Sequence, residues 1–171
     1  GDSSRRVQEQ LRNVQHIQAT ARAFAAILGS GVVVTWGVGR YGGDSSQVRE
    51  QLRNVQHIQA TDFAFAAILE SGAVVTWGDP ENEQLRNVQH IQPTANGAFG
   101  AILESGAVVT WGARRYGGDS SRVQEQLRNV QHVQATATAF AATLESGAVV
   151  TWGDPEYGGD SSQVSLNLGL L

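Results

Sequence analysis

Ala67–Gly78 reads AILESGAVVTWG, and close copies stand at Ala26–Gly37 (AILGSGVVVTWG), Ala101–Gly112 and, with one change, Ala142–Gly153 (ATLESGAVVTWG). Each copy reads as a short β-hairpin. An apolar strand leads to a tight Ser-Gly turn, and a β-branched run follows and ends in Trp-Gly. The turn glycines Gly31, Gly72, Gly106 and Gly147 supply a positive φ that other residues tolerate poorly. Trp36, Trp77, Trp111 and Trp152 are all four tryptophans of the chain. Burying a Trp removes roughly 150–250 Å² from water. At about 25 cal/mol per Å² that is on the order of 4–6 kcal/mol each, an upper bound. The tryptophans are therefore read as the centre of each repeat, with Phe24, Phe65, Phe99 and Phe140 at matching positions ahead of them.

Successive tryptophans lie 41, 34 and 41 residues apart, and the four phenylalanines keep the same spacing. The unit is thus 41 residues, and the third is shortened on its leading side. Full copies carry YGGDSS and a Val before the EQLRN segment, at Tyr41–Val48 and Tyr116–Val123. Between Trp77 and Leu85 there is only GDPENEQ, eight residues fewer. The chain is read as one repeat array over residues 1–171, with units 1–43, 44–78, 79–117 and 118–171. The shortened link 79–84 should carry little or no helix.

Each full unit has four parts. DSSxVxEQLRNV places Val48, Leu52 and Val55 at i, i+4 and i+7, the spacing of one helix face. Asp44 or Ser46 can cap such a helix. At about two turns it would not stand alone in water. The same spacing recurs at Val7, Leu11, Val14 and at Val123, Leu127, Val130. NVQHIQA follows as a strand in which Val14 and Ile17 point to opposite faces, so that both faces are buried. The AFAAIL and VVTW strands complete the unit. Three strands per unit suit a linear solenoid or a radial propeller, and the pattern fits both.

The composition narrows the function. The formal net charge is −4, and all 12 basic residues are arginine. No basic stripe supports nucleic-acid binding. Cys is absent, which removes disulfides, thiolate metal sites and cysteine nucleophiles from this chain. No apolar run approaches ~18 residues, so no membrane span is expected. No Met occurs either, and the chain is read as a piece of a longer propeller.

The run from Val14 to Gly37, with NVQHIQA, TARA, FAAIL, GSG, VVVTWG and then RYGG, resembles the repeat of the regulator-of-chromosome-condensation family. The short period is similar to the compact form in β-lactamase inhibitor protein II. The resemblance spans essentially the whole chain. It implies a mainly β fold with short helices: a partial, open β-propeller of four blades, about three antiparallel strands each. Two features depart from the family. Its frequent His before the second strand is here Ala23, Ala64, Ala98 or Ala139, and its usual seven blades exceed the four units present. An open arc exposes apolar edges at its ends, so self-association is expected unless the C-terminal Ser165–Leu171 caps one of them.

Candidate chemistry has simpler readings. GDSS stands at Gly1–Ser4, Gly43–Ser46, Gly118–Ser121 and Gly159–Ser162. A nucleophile needs one activated Ser with a base in reach, whereas four copies in a repeat loop indicate turn and cap chemistry. His16, His57, His90 and His132 hold one equivalent position, read as half-buried strand histidines too far apart to share a metal. The acidic loops (Asp79, Glu81, Glu83; Asp154, Glu156, Asp160) lack the spacing of calcium-binding repeats and read as solvated turn carboxylates. Photoreception, known in the family, needs clustered tryptophans outside the hairpin, and there are none. No catalytic residue, metal ligand or cofactor is expected. The resemblance implies a non-catalytic protein–protein interaction module inside the cell, cytoplasmic or nuclear, with another protein as partner and neither nucleic acid nor membrane. Its alternatives are a substrate-recruiting or regulatory region of a HECT-type ubiquitin ligase, or a guanine-nucleotide exchange regulator that lacks the family's β-wedge insert.

Overall fold

The computed structural model describes residues 2–79, 85–162 and 164. The fold is mainly β, with twelve strands in four antiparallel sheets of three strands each. They are β1 (Val14–Ala19), β2 (Ala23–Leu28) and β3 (Val33–Gly37); β4 (Val55–Ala60), β5 (Ala64–Leu69) and β6 (Val74–Gly78); β7 (Val88–Pro93), β8 (Ala98–Leu103) and β9 (Val108–Gly112); and β10 (Val130–Ala135), β11 (Ala139–Leu144) and β12 (Val149–Gly153). Strand order within each sheet follows the sequence, and no ladder joins one sheet to another among the described residues. The chain divides into two compact parts, Gly1–Val88 and Gln89–Leu171.

The quoted stretch forms the second and third strands of every sheet. Its turn closes when Gly72 N–H donates to the Leu69 carbonyl (2.9 Å) and Leu69 N–H donates to Ala73 (2.9 Å). Gly72 then sits at φ +81, the left-handed position of a three-residue hairpin loop. Gly31, Gly106 and Gly147 match it at φ +79, +81 and +85. Across each ladder the Phe and the Trp are direct partners, as in Phe65↔Trp77. Their rings stack at 5.2–5.4 Å in all four sheets.

The first strand differs from the sequence reading. A β-bulge shifts the register between Val55 and His57, and the same shift occurs at Val14/His16 and Val130/His132. One extra residue resets the alternation, so residues three apart share a face. Val55 and Ile58 are therefore buried together, while Gln56 and His57 both face solvent. The strand is apolar on one face, not two. All four histidines are consequently exposed rather than half-buried.

The helix reading also needs correction. Of the three copies that continue through EQLRN, the first is α-helical, as α1 (Asp2–Gln10). The copy after Gly43 runs through turns: Val48 N–H donates to Ser45, Gln51 to Val48. The third copy closes a single 3-10 turn at Gln124–Gln126. Both ends of these copies are tied down. Gly43 N–H is held by the Val38 carbonyl at 3.1 Å, and Val55 and Val130 already belong to strands. A helix of about two turns has little stability of its own to set against such ties. Leu52 and Leu127 still point inward, at 2% and 1% exposure. The link 80–84 and the Ser165–Leu171 segment lie outside the described residues.

Each part has its own core. In Gly1–Val88 it gathers Ile27, Val33, Leu52, Val55, Ile58, Phe65 and Trp77. In Gln89–Leu171 the equivalent set is Ile102, Val108, Leu127, Val130, Val133, Phe140 and Trp152. Successive sheets are joined the same way in both parts. Val55 N–H donates to the turn carbonyl of Gly31 (3.0 Å), and Val130 N–H to that of Gly106 (2.9 Å). Just ahead of those donors, Asn54 and Asn129 sit at φ 53 and 52, a left-handed position that Asn tolerates better than most residues. Trp77 Nε1–H donates to the Gly42 carbonyl (3.0 Å) and Trp152 Nε1–H to that of Gly117 (3.1 Å). The Tyr-Gly-Gly loops at Tyr41 and Tyr116 thereby lie over the Phe-Trp pairs of β4–β6 and β10–β12.

Two aromatic positions depart from this scheme. Phe24 is 44% exposed and so is not a core residue, and Trp36 is only partly buried. Among the described residues no Tyr-Gly-Gly carbonyl accepts from Trp36, as Gly42 and Gly117 do from Trp77 and Trp152. Trp111 is buried, yet its Nε1–H has no hydrogen-bond partner among the described residues. The shortened link before it lacks the Tyr-Gly-Gly whose carbonyl serves Trp77 and Trp152.

Candidate functional site

The units are so alike that their differences are informative. Between the LRN segment and Trp-Gly most positions are identical or change in one unit only. Two places vary more, the first taking four forms and the second three, because Asp-Pro-Glu stands both at 79–81 and at 154–156. One is the turn between the first and second strands: Ala21-Arg22, Asp62-Phe63, Ala95-Asn96-Gly97 and Ala137-Thr138. The other is the three residues after Trp-Gly, such as Val38-Gly39-Arg40 and Ala113-Arg114-Arg115.

The fold brings these two places together in every sheet. Val38 N–H donates to the Arg22 carbonyl (2.9 Å), Asp79 to Phe63 (3.1 Å), Ala113 to Gly97 (2.9 Å) and Asp154 to Thr138 (3.0 Å). The variable residues thus form one rim of each sheet, held on a constant frame. The frame at that rim is built by threonine. Thr61 Oγ1 accepts from Ala64 N–H at 3.1 Å and Thr136 Oγ1 from Ala139 N–H at 3.0 Å, fixing the turn while leaving its middle residues free to vary.

In Gly1–Val88 the rim is cationic and aromatic. The guanidinium carbons of Arg22 and Arg40 lie 5.3 Å and 5.1 Å from the Tyr41 ring centre. Tyr41 stacks on Phe63 at 6.0 Å, and Phe63 is 38% exposed. Cations over a tyrosine face are attracted by its quadrupole. In Gln89–Leu171 the rim encloses a cavity of about 500 Å³ lined by Asn96, Arg115, Tyr116, Thr138, Asp154 and Tyr157, among others. Asp154 is buried there, which corrects its reading as a solvated carboxylate. Its Oδ1 accepts from Glu156 N–H (3.2 Å) and its Oδ2 faces Arg115 Nε at 3.3 Å. The buried Thr138 Oγ1 has no partner among the described residues. Glu81 and Glu83 lie outside them.

The GDSS loops are tied into the frame. In the last three copies the first Ser reaches the third-strand Thr: Thr35–Ser45 at 2.9 Å, Thr110–Ser120 at 2.9 Å and Thr151–Ser161 at 3.1 Å. The Asp accepts from the N–H two residues on, at Ser46, Ser121 and Ser162. Bonds from Ser46 hold Asp44 below the usual carboxylate range, and those from Ser162 do the same for Asp160. Asp119 is lowered further, first by Arg114 (Nη2–Oδ2 2.7 Å) and then by Ser121. A folded-state value below the unfolded one gives stability that is present above the unfolded value and is lost as pH falls through the folded one. Carboxyl chemical shifts followed by acid titration should therefore place Asp119 lowest of the three, and Arg114→Ala should bring it up towards Asp44. An Asp119 that titrates with Asp160 in the unsubstituted chain contradicts the Arg114 contact.

The sequence-selected residues are divided between frame and solvent. The tryptophans, the turn glycines and three of the four phenylalanines hold the sheets. The histidines stand on the exposed side of the first strand; of the rim residues the acidic ones, Asp79 and Asp154 among them, were singled out as solvated turn carboxylates, while Arg22, Phe63, Asn96 and Thr138 were not. The signal that finds them is the comparison of the repeats with one another.

The fold and its Phe-Trp repeats define a protein built of β-propeller blades. Among solved structures, the chain is similar to yeast RCC1 (Prp20), solved with Kap60 bound, with TM-score 0.61 and 17% identity over 85% of this chain and 44% of that one. Human WBSCR16 matches with TM-score 0.52 and 15% identity, over 82% of this chain and 47% of that one. The CRINKLY WD40 ectodomain of the Arabidopsis thaliana receptor kinase ACR4 matches with TM-score 0.58 and 14% identity, over 84% and 51%. The chain thus spans about half the length of the structures it matches. No protein-family model and no curated protein matches the sequence. In its fold the chain is an RCC1-like repeat protein.

Proposed function

We propose that the chain is a protein-binding module, one repeat array over its whole length, whose partner contacts the variable rim. The observation that carries this reading is the pairing, in all four sheets, of the two segments that change between otherwise near-identical units. A rigid repeat array commonly presents loops of one face to a partner. Arg, Tyr and Phe are residue types over-represented at protein interfaces, and the rim of Gly1–Val88 offers Arg22, Arg40, Tyr41 and Phe63 within one cluster. Solved RCC1 (Prp20) structures are described with Kap60 bound and with binding properties towards Gsp1p and histones, which supports a protein as the class of partner. The constant residues, including Trp77, Trp152 and the turn glycines, serve the frame in this reading and touch no partner.

Proximity labelling in cells tests it. Arg22→Glu/Arg40→Glu and, separately, Arg115→Glu should remove most captured proteins. Glu70→Ala/Glu104→Ala, at the hairpin turns, should leave the captured set unchanged. Loss with the hairpin variant and retention with the rim variants would place binding elsewhere.

A further inference from the structure

The rim of Gln89–Leu171 follows the same main-chain plan as the rim of Gly1–Val88, but two side chains are missing from it. In Gly1–Val88, Asp79 N–H donates to the carbonyl of Phe63 and Val38 N–H to that of Arg22. In Gln89–Leu171 those two places belong to Thr138, bonded from Asp154, and to Gly97, bonded from Ala113. Neighbouring turns are joined alike in both parts, Ala21 N–H to the Asp62 carbonyl and Asn96 N–H to that of Ala137, each at 3.0 Å. Tyr41 and Tyr116 are equivalent too. Each ends a 3-10 turn, Gly39–Tyr41 or Arg114–Tyr116, directly before Gly-Gly.

The missing side chains are the ones that dress Tyr41. Phe63 stacks on its ring at 6.0 Å, and the Arg22 guanidinium lies 5.3 Å from its centre. Beside Tyr116 the first place holds a small threonine and the second no side chain at all. No aromatic ring stacks on Tyr116 among the described residues. The space is the cavity of about 500 Å³, lined by both Tyr116 and Thr138. That volume falls among those of clefts that hold ligand groups, about 300–1,000 Å³. Arg115 lines it as well and is exposed, so the cavity is reached from solvent.

We infer that this cavity seats an aromatic side chain carried by the partner, a ring that stacks on Tyr116 as Phe63 stacks on Tyr41. The inference rests on the reading of the rim as the partner surface and names what the rim receives in Gln89–Leu171. The occupant follows from the chain itself, which fills the equivalent place in Gly1–Val88 with its own phenylalanine. Arg115 suits the same guest. Its counterpart Arg40 lies 5.1 Å from the Tyr41 ring centre, and a guanidinium is attracted to an aromatic face. Aromatic anchors held in pockets are the residues that dominate binding energy at protein interfaces.

Nuclear magnetic resonance on the intact chain reads the seat directly. N-acetylphenylalaninamide should shift the Tyr116 ring and Thr138 methyl signals to saturation. N-acetylleucinamide should bind there roughly two- to tenfold more weakly, the worth of ring stacking. Thr138→Phe supplies the ring from within. Phe already stands at that turn position in the second unit, and the change removes the unpartnered Thr138 Oγ1, so circular dichroism should be unchanged. The Tyr116 signals of that variant should be displaced without any probe and should no longer respond to one. Tyr116→Leu keeps an apolar side chain but removes the stacking partner, so the two amides should bind it equally. Equal affinity of the amides for the unsubstituted chain, or a preference that survives either substitution, overturns the inference. In cells, Thr138→Phe should release the proteins that Arg115→Glu releases. Proteins lost with Arg115→Glu but kept with Thr138→Phe overturn the seat and leave the rim reading standing, whereas capture that survives Arg115→Glu overturns the rim reading in Gln89–Leu171 and the seat with it.

Discussion

Gly117→Ala should destabilise the protein by about 3 kcal/mol or more, whereas Gly158→Ala should cost about 1–2 kcal/mol. The two glycines hold equivalent places, at φ +103 and +105. Both substitutions thus carry the same backbone penalty for an L side chain in the left-handed region. They differ in what the new methyl meets. At Gly117 a Cβ would lie 2.5 Å from the Phe140 ring, beneath the loop whose carbonyl accepts from Trp152, while at Gly158 it meets nothing within 4 Å among the described residues. Relief requires the loop to lift, and lifting breaks that hydrogen bond and uncovers the Phe-Trp stack. Chemical denaturation followed by far-ultraviolet circular dichroism gives the comparison. Equal costs at the two sites would mean that the loop yields without disturbing the aromatic pair.

Trp152→Ala should lose about 3–5 kcal/mol, the usual cost of emptying a large buried aromatic site. Trp152 is 4% exposed and stacks on Phe140 at 5.2 Å. Trp36→Ala should cost about half as much, because part of that ring is already in water. The informative variants keep a ring. Trp→Phe at 77, 111 and 152 removes a similar volume each time, and all three tryptophans are 4–6% exposed. Among the described residues only two of them donate a hydrogen bond. Phe at 77 or 152 leaves the Gly42 or Gly117 carbonyl without its donor, whereas Phe at 111 removes a buried donor that had no partner. Trp111→Phe should therefore be milder by about 1–3 kcal/mol, the cost of stranding a buried polar group. Three equal losses would show that Trp111 Nε1–H is satisfied in solution.

The hairpins were legible because their signals are local. Turn type, β-branched runs and the recurring Trp-Gly each act within a few residues, and four copies reinforced them. The first strand was misread because a bulge leaves no mark in a pattern counted at period two. Val55 and Ile58 are three apart and so seemed to face opposite ways, until an extra residue is admitted at Gln56. The helix of the second unit was misread for a different reason. The spacing of Val48, Leu52 and Val55 is helical, but Val55 is claimed by a ladder whose partner, Leu69, lies beyond the reach of a local pattern. Phe24 reads like Phe65 in sequence, and what marks Phe65 out is the Tyr41-Gly42 loop packed on its ring, a contact far from it in the chain. Most of the rim escaped notice because the reading looked for residues that recur; its acidic residues at 79 and 154, which do recur, were noticed but read as solvated, whereas Asp154 is buried.

The threonine-fixed turn has a practical consequence. Its two middle positions and the three residues after Trp-Gly hang on main-chain bonds that every sheet makes regardless of side chain. A combinatorial library diversified at the exposed members of those positions, leaving the buried Thr138 and Asp154 in place, would keep the main-chain bonds of every sheet. Recognition could then be selected blade by blade, with each blade an interchangeable cassette.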